Sequence, residues 1–209
     1  MLRQTVIATL IFTAVSCGEG KTDSLRSKIQ NGDIIFHETM SSQGTELKLA
    51  TKSRYTHMGI IRKTGDKYFV LEAVQPVSVT PLDKFISRGK DRHYVIKRLK
   101  NSDKILTPEV LDKMEETGGK FIGRKYDSLF QWSDEKIYCS ELVWKIYKRA
   151  AGVEIGELQK YREFDLTHPK VKVLLKKRFG SREIPLDETV ISPVQMFNSP
   201  LLETVEKQN

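Results

Sequence analysis

The chain of 209 residues is 39% hydrophobic and 30% charged, which suits one globular domain and excludes a low-complexity polymer. The formal net charge is +8, but basic residues are spread along the chain beside acidic ones, which argues against a nucleic-acid-binding protein. Only Lys170 to Arg178 is a dense basic run, and its interleaved apolar residues are typical of a solvated helix face. Attraction of this run to an anionic membrane or cell-wall polymer is the alternative.

The N-terminus has the pattern of a bacterial export signal. Arg3 precedes the apolar stretch Val6 to Val15, which is too short to span a bilayer but suits a signal peptide. Ala14 to Cys17 then resembles a lipoprotein cleavage box, in which the cysteine becomes the acylated first residue. We therefore predict a signal peptide over residues 1–17, a polar tether over residues 18–27, and lipidation of Cys17. The alternative is a plain secretory signal in which Cys17 is incidental.

This leader predicts a location in the bacterial cell envelope, either periplasmic or on the outer surface. The lipid on Cys17 would make the membrane a partner of the protein, while nucleic acid is not expected as one. The folded part is predicted to be one domain over residues 28–206.

A histidine and a glutamate lie on two segments that predict a β-hairpin. His57 opens the first strand-like segment, Glu72 lies in the second, and Gly65-Asp66 form the turn. In that register Gly59 opposes Glu72, so the side chains of His57 and Glu72 point to one face within reach of each other. Because an unpaired charge on an apolar strand is costly, we predict that Glu72 pairs with His57. The alternative is a glutamate that faces water.

One cysteine is placed where a nucleophile is expected. The chain has two cysteines, and Cys17 is assigned to the lipid, so Cys139 is a solitary thiol. Apolar residues from Leu142 to Ala150 follow helical spacing and Gly152 provides a stop, which places Cys139 at or near the first turn of a helix. Free N–H groups at that turn stabilise a thiolate and an oxyanion. The alternative is a buried structural cysteine.

A cysteine nucleophile needs a base, which is usually a histidine. Of the four histidines, His57 is preferred because Glu72 can fix the tautomer that accepts the proton of Cys139. His37, His93 and His168 have no comparable partner in the sequence.

The order of these residues, with the histidine first and the cysteine last, is the reverse of that in papain. It resembles the circularly permuted papain-like amidases of the NlpC superfamily, in the YiiX/YebB-like branch. The resemblance covers nearly the whole predicted domain, and the segments that carry it are Asn31 to Phe36, Ala50 to Ile60, Leu71 to Ala73, Tyr126 to Phe130, Ile137 to Trp144 and Ile191 to Pro193.

The resemblance implies an α+β fold with an antiparallel sheet or partial barrel over roughly residues 33–99, packed against helices. It implies cleavage of an amide bond, often in peptidoglycan peptides, with Cys139 as nucleophile, His57 as base and Glu72 as third member. Tyr126 and Tyr138 are expected to be walls or hydrogen-bond donors of the substrate pocket. No metal or other cofactor is implied.

Helices are predicted from spacing and caps over residues 107–118, 138–151 and 171–178. Residues 43–52 and 159–164 are predicted to be loops that shape the pocket, but their sequences do not identify the substrate. A peptide, peptidoglycan or an acyl compound therefore stays open as the substrate. The same three residues would also serve ester or thioester hydrolysis or acyl transfer on lipid-like substrates. A non-catalytic envelope protein that binds peptides or lipids is the alternative from another class.

Overall fold

The computed structural model describes residues 25–208. The predicted signal peptide, most of the tether and the lipidation site Cys17 lie outside these residues. Among the helices of residues 25–208, none is long and apolar enough to cross a membrane.

The centre of the domain is a six-stranded antiparallel sheet with the strand order β10-β5-β1-β2-β3-β4. Its strands, in chain order, are β1 (Ile34–Thr39), β2 (His57–Thr64), β3 (Lys67–Glu72), β4 (Ser78–Pro81), β5 (Gly89–Leu99) and β10 (Leu202–Gln208). Two short pairs lie outside this sheet: β6 (Lys125–Tyr126) with β7 (Lys136–Ile137), and β8 (Gln159–Lys160) with β9 (Thr189–Val190).

Seven α-helices surround the sheet in the described part of the chain. They are α1 (Ser42–Thr51), α2 (Leu82–Ser87), α3 (Ser102–Ile105), α4 (Pro108–Gly119), α5 (Cys139–Ala151), α6 (Pro169–Phe179) and α7 (Pro193–Phe197). The predicted α+β class is confirmed, and so are the helices near residues 107–118, 138–151 and 171–178. Helix α4 begins where its sequence signals predict, because the Thr107 side chain accepts a hydrogen bond from the Val110 N–H and Pro108 occupies the first turn.

Both segments that were predicted to be loops contain regular secondary structure. Residues 43–52 were expected to be a loop, but they form helix α1 up to Thr51. Ser41 caps this helix by accepting a hydrogen bond from the Gly44 N–H at 3.1 Å. The helix was missed because its sequence lacks an apolar stripe of helical period. Residues 159–164 contain strand β8 and a 3₁₀ turn, Tyr161–Glu163.

The sheet also extends beyond the predicted range of residues 33–99. Strand β10, near the C-terminus, pairs with β5 at the edge of the sheet. Only Leu202 is buried in this strand, so its sequence carries little of the alternation that predicts a half-buried strand.

The two faces of the sheet are covered by different helices. On one face Met58, Ile60 and Leu71 pack with Leu142 and Ile146 of α5 in the largest buried cluster. On the other face, Ile35, Ile61 and Val70 pack with residues of α2, including Phe85. Burial of apolar side chains on both faces fixes which side of each strand points to which helix.

The β2–β3 hairpin has the register predicted from the turn, since Thr64 pairs with Lys67 and Ile60 pairs with Leu71. Gly59 lies against Glu72: a Cβ added to Gly59 would come within 2.5 Å of Val70 Cγ1, 2.7 Å of the Leu71 carbonyl oxygen and 3.2 Å of Glu72 Cβ. The glycine therefore leaves the space that the glutamate side chain occupies.

We expect Gly59→Ala to lower the free energy of unfolding by about 1–3 kcal/mol, because the new methyl group meets backbone that cannot move aside. Urea unfolding of the purified domain measures this change. Gly119→Ala is the matched control: it lies at the end of α4 with no atom within 4 Å of the added Cβ. An equal loss in both variants would contradict the assigned role of Gly59.

Candidate active site

Cys139 is the first residue of α5, and its side chain is buried at 2% exposure. Tyr138 is the N-cap residue, and the first N–H groups of a helix have no partner within the helix. The thiol therefore lies beside unpaired N–H groups at the positive end of the helix dipole. This position at the start of the helix agrees with the prediction from the spacing of apolar residues.

A buried ion pair holds the segment that leads into Cys139. Glu141 is fully buried, and its carboxylate accepts hydrogen bonds from the N–H groups of Ser133 and Tyr138 at 3.1 and 3.5 Å. Lys145, one turn further along α5, lies 2.7 Å from Glu141 and donates to the Ser133 carbonyl and to Asp134. Burial raises the pKa of Glu141 to about 7 against the opposing effect of Lys145. The Glu141–Lys145 pair therefore holds the loop that contains Ser133 against the first turn of α5.

His57 connects the cysteine to Glu72. Its Nε2 lies 2.6 Å from Glu72 Oε2, and the Cys139 side chain is close enough to the imidazole to raise the pKa of His57. Because Nε2 is used by the carboxylate, Nδ1 is the nitrogen left to face Cys139. The other oxygen of Glu72 accepts a hydrogen bond from Arg88, so both oxygens of this fully buried carboxylate are paired.

The charges of this pair stabilise each other. Burial opposes a charge on His57, but its hydrogen bonds to Cys139 and Glu72 prevail and raise its pKa to about 9. Burial likewise opposes the charge on Glu72, but His57, Thr80 and Arg88 hold the pKa of Glu72 at about 2. At neutral pH the structure therefore favours an imidazolium beside a carboxylate.

A second histidine lies next to His57 without sharing its charge. His37 pairs with His57 across β1 and β2, and the two ring centroids are 5.3 Å apart. Phe85 stacks on the His37 ring at 4.4 Å. Burial, together with the nearby positive charges of His57 and Arg88, lowers the pKa of His37 to about 2. His37 is therefore neutral and fills space beside the site.

Cys139 lines a narrow apolar cavity of about 60 Å³, together with Tyr138, Phe130 and residues of α6. The Tyr138 hydroxyl accepts a hydrogen bond from the Ile191 N–H at 3.0 Å, and its ring packs edge-to-face on Phe130. His57 and Tyr126 line a second, larger cavity of about 550 Å³, called the polar cavity because it is more polar than the first. The two tyrosines predicted as pocket walls thus belong to different cavities.

Tyr126 is held by side chains that the sequence did not single out. Its hydroxyl accepts a hydrogen bond from Gln43 of α1 at 3.1 Å, and its backbone N–H donates to Gln75 at 2.6 Å. Burial and the electrostatic effect of nearby Cys139 raise the pKa of Tyr126 well above its usual value, so its hydroxyl keeps its proton.

The two remaining histidines lie elsewhere. His93 of β5 is buried and stacks on Tyr55, and His168 caps α6 by accepting from the Lys170 N–H at 3.2 Å. Neither lines either cavity beside Cys139. The structure therefore brings together Cys139, His57, Glu72, Tyr126 and Tyr138.

Comparison with known families identifies the family of this chain. Residues 28–206 match the model of the permuted papain-like amidases of the YaeF/YiiX, C92 family. The chain belongs to this family. The predicted resemblance is confirmed, and membership in the C92 family supports a hydrolase that cleaves amide bonds.

Two Escherichia coli relatives are similar to this chain. An uncharacterised YiiX protein of strain K12 is 44% identical over 179 residues, which are 86% of this chain and 87% of that protein. A crystal structure of YiiX from strain O157:H7 superposes with a TM-score of 0.81 at 44% identity, covering 87% of this chain and 98% of the other. That protein is described as a metalloprotein. In residues 25–208 of the present chain, no group of three or more His, Cys, Asp or Glu side chains is arranged to hold a metal ion.

Sequence reasoning placed Gln43 only within a segment that shapes the pocket, and it missed Arg88 and the Glu141–Lys145 pair. Glu141 and Lys145 carried a usable signal, because a carboxylate and an amine four residues apart on one helix face each other. Arg88 and Gln43 carried none, since they reach the site only through the folding of α2 and α1 onto the sheet.

We expect the His57 imidazole to titrate near pH 9 in the wild type. Its titration midpoint should be lower in Cys139→Ser and in Glu72→Gln, since each variant removes one interaction that raises the pKa. NMR titration measures this midpoint, with the His57 signal assigned by its absence in His57→Asn. A wild-type midpoint near 6.5 would contradict the ion pair. Because the pKa of His57 is higher in the folded protein than in the unfolded chain, the charged His57 stabilises the fold. This stabilisation is complete below pH 6.5 and is lost as pH rises through 9.

Proposed function

We propose that this protein is a cell-envelope cysteine amidase that works through an acyl-enzyme on Cys139. The observation that carries the proposal is the His57–Glu72 pair at 2.6 Å, with Cys139 close enough to raise the pKa of His57. A merely structural cysteine would not need a buried charged pair beside it, because such pairs are costly to bury. Family membership supports the class of reaction.

In this mechanism the Cys139 thiolate attacks the carbonyl carbon of the amide, and His57 holds the proton that the thiol has lost. The C–N bond then breaks, and His57 gives this proton to the departing amine nitrogen. Water next attacks the thioester while His57 takes its proton, which releases the acid and restores the thiol. Glu72 stays ionised and keeps the imidazole oriented.

The negative charge on the carbonyl oxygen needs donors during both attacks. The Cys139 N–H is one candidate, since it occupies the first position of α5. The Tyr126 hydroxyl is a second candidate, because its oxygen accepts from Gln43 and its own proton is left to donate. Tyr138 acts as a wall of the apolar cavity, with its hydroxyl bound to the Ile191 backbone.

The apolar cavity favours a second candidate function within the same site. A cavity of about 60 Å³ at Cys139 suits a short apolar acyl group, so ester or thioester cleavage or acyl transfer is compatible with it. Its small volume argues against a long fatty chain unless α6 moves. The polar cavity is about nine times larger (550 against 60 Å³) and suits a peptide or another polar amine portion, which is why amide cleavage is preferred.

We expect His57→Ala to lower kcat/KM by about 10²–10⁴, the usual contribution of a general base, and Cys139→Ala to remove turnover. Glu72→Gln should cost less, because Glu72 acts through His57. Rates are measured on stem peptides of peptidoglycan, on simple dipeptides, and on esters with acyl chains of increasing length. Lys90→Gln, at an exposed residue that lines neither cavity, is the control that should leave rates unchanged. Turnover that survives in Cys139→Ala would contradict the acyl-enzyme, and faster cleavage of esters than of peptides would favour the second function.

The envelope location is part of the proposal and depends on the leader. Residues 1–17 have the pattern of a lipoprotein signal, and the folded domain begins about ten residues after Cys17, matching the family model from residue 28. A short polar tether would keep the active site close to the membrane surface.

We expect Cys17→Ser to leave the protein unprocessed or soluble, since no thiol is available for the lipid. Fractionation of cells, followed by mass spectrometry of the N-terminus, measures both changes. Cys139→Ser serves as the control, because it removes the other cysteine and should remain membrane-bound. A Cys17→Ser protein that is still cleaved at the same residue and bound to membranes would contradict lipidation.

A further inference from the structure

The polar cavity beside His57 has a definite electrostatic character. It has a volume of about 550 Å³ and is lined by side chains that include His57, Gln75, Arg88 and Tyr126. Among the described residues that line it, none is an aspartate or a glutamate. His37 also lines the cavity, but it is neutral. Among the described residues that line the cavity, Arg88 and protonated His57 are therefore the charged ones, and both are positive.

Arg88 is placed to contact both the catalytic apparatus and a ligand. One N–H of its guanidinium donates to Glu72, which is fully buried, while 44% of the Arg88 side chain is exposed. A guanidinium carries five N–H donors, so several stay available on the side that faces the cavity. Phe85 lies under the group at 5.6 Å and limits its movement.

The pairing with Glu72 alone does not explain this position. Glu72 is already neutralised by His57 at 2.6 Å, so Arg88 adds a second cation to one carboxylate. The Arg88 guanidinium, unlike the buried Glu72, is exposed to an open cavity. A rigid guanidinium with free donors in a cavity that lacks acidic side chains is suited to a carboxylate or phosphate.

We propose that Arg88 binds an anionic group, a carboxylate or a phosphate, on the amine portion of the substrate. This assignment rests on the proposed function, because His57 must give its proton to the departing amine, which therefore lies on the His57 side of Cys139. The polar cavity is on that side, whereas the apolar cavity lined by Cys139 is left for the acyl portion. The substrate class is thus an acylated amine whose amine portion carries a negative charge.

The test uses thiol-alkylating probes, so that it needs no known substrate. N-iodoacetylglycine and N-iodoacetylglycinamide have the same length but differ in charge, and the ratio of their alkylation rates at Cys139 reports preference for a carboxylate. N-iodoacetyl aminomethylphosphonate, compared with the same amide, reports preference for a phosphate-like group. Any change in thiolate content alters all rates equally and cancels in the ratio.

We expect the larger of the two ratios to fall about tenfold in Arg88→Met, because this variant loses one hydrogen bond to a charged group. Arg88→Lys should keep part of the preference, because it retains the charge without the fork of donors. Lys90→Gln is the matched control: it removes one positive charge from an exposed residue two positions away that does not line the cavity. Its ratios should stay at the wild-type value.

Equal ratios in wild type and Arg88→Met would overturn the assignment, and so would an equal fall in Lys90→Gln, which would indicate a general effect of net charge. These outcomes leave the proposed amidase untouched, since Cys139 would still react with every probe. If no probe labels wild-type Cys139, the proposed function fails and the role of Arg88 fails with it. Whichever anion gives the larger ratio identifies the group that Arg88 prefers.

Discussion

A carboxylate without contact to solvent must be paired, and Glu72 is the group around which the site is arranged. Its side chain has 0% exposure, and its two oxygens bind His57 and Arg88. These contacts offset the cost of burying the charge. The same requirement explains Gly59, whose missing side chain leaves room for the glutamate. Strand β3 therefore holds the His57 imidazole in place through Glu72. The imidazole in turn determines from which side it meets the Cys139 thiol.

The helix that carries Cys139 meets a similar requirement by local means. Glu141 and Lys145 lie one turn apart on α5, and together they bind the backbone of the loop before the cysteine. The start of the helix is thus held in part by contacts within about a dozen residues, whereas the position of His57 depends on the sheet. The site is the point where a locally determined helix start meets a hairpin positioned by long-range packing.

This division explains what the sequence could predict. The start of α5, its end at Gly152 and the β2–β3 register follow from periodicity and turn residues, and each was predicted from the residues themselves. Helix α1 was missed because it lacks an apolar stripe, and β10 because it is an exposed edge strand. Arg88 and Gln43 enter the site through tertiary packing, which leaves no periodic trace in the chain. The apolar cavity likewise depends on α6 and on residues near Ile191, far from Cys139 in sequence.

The two ends of the folded domain lie side by side. Lys28 Nζ is 2.6 Å from Glu206 Oε2, and Leu25 packs with Val205 against the same buried cluster. Adjacent termini allow a chain to be closed with a short link and opened at another exposed turn without altering its core. Opening this chain in the turn that follows α4 would place Cys139 ahead of His57, which is the order found in papain. The contacts around the thiol would then be kept while the order of Cys139 and His57 along the chain is reversed.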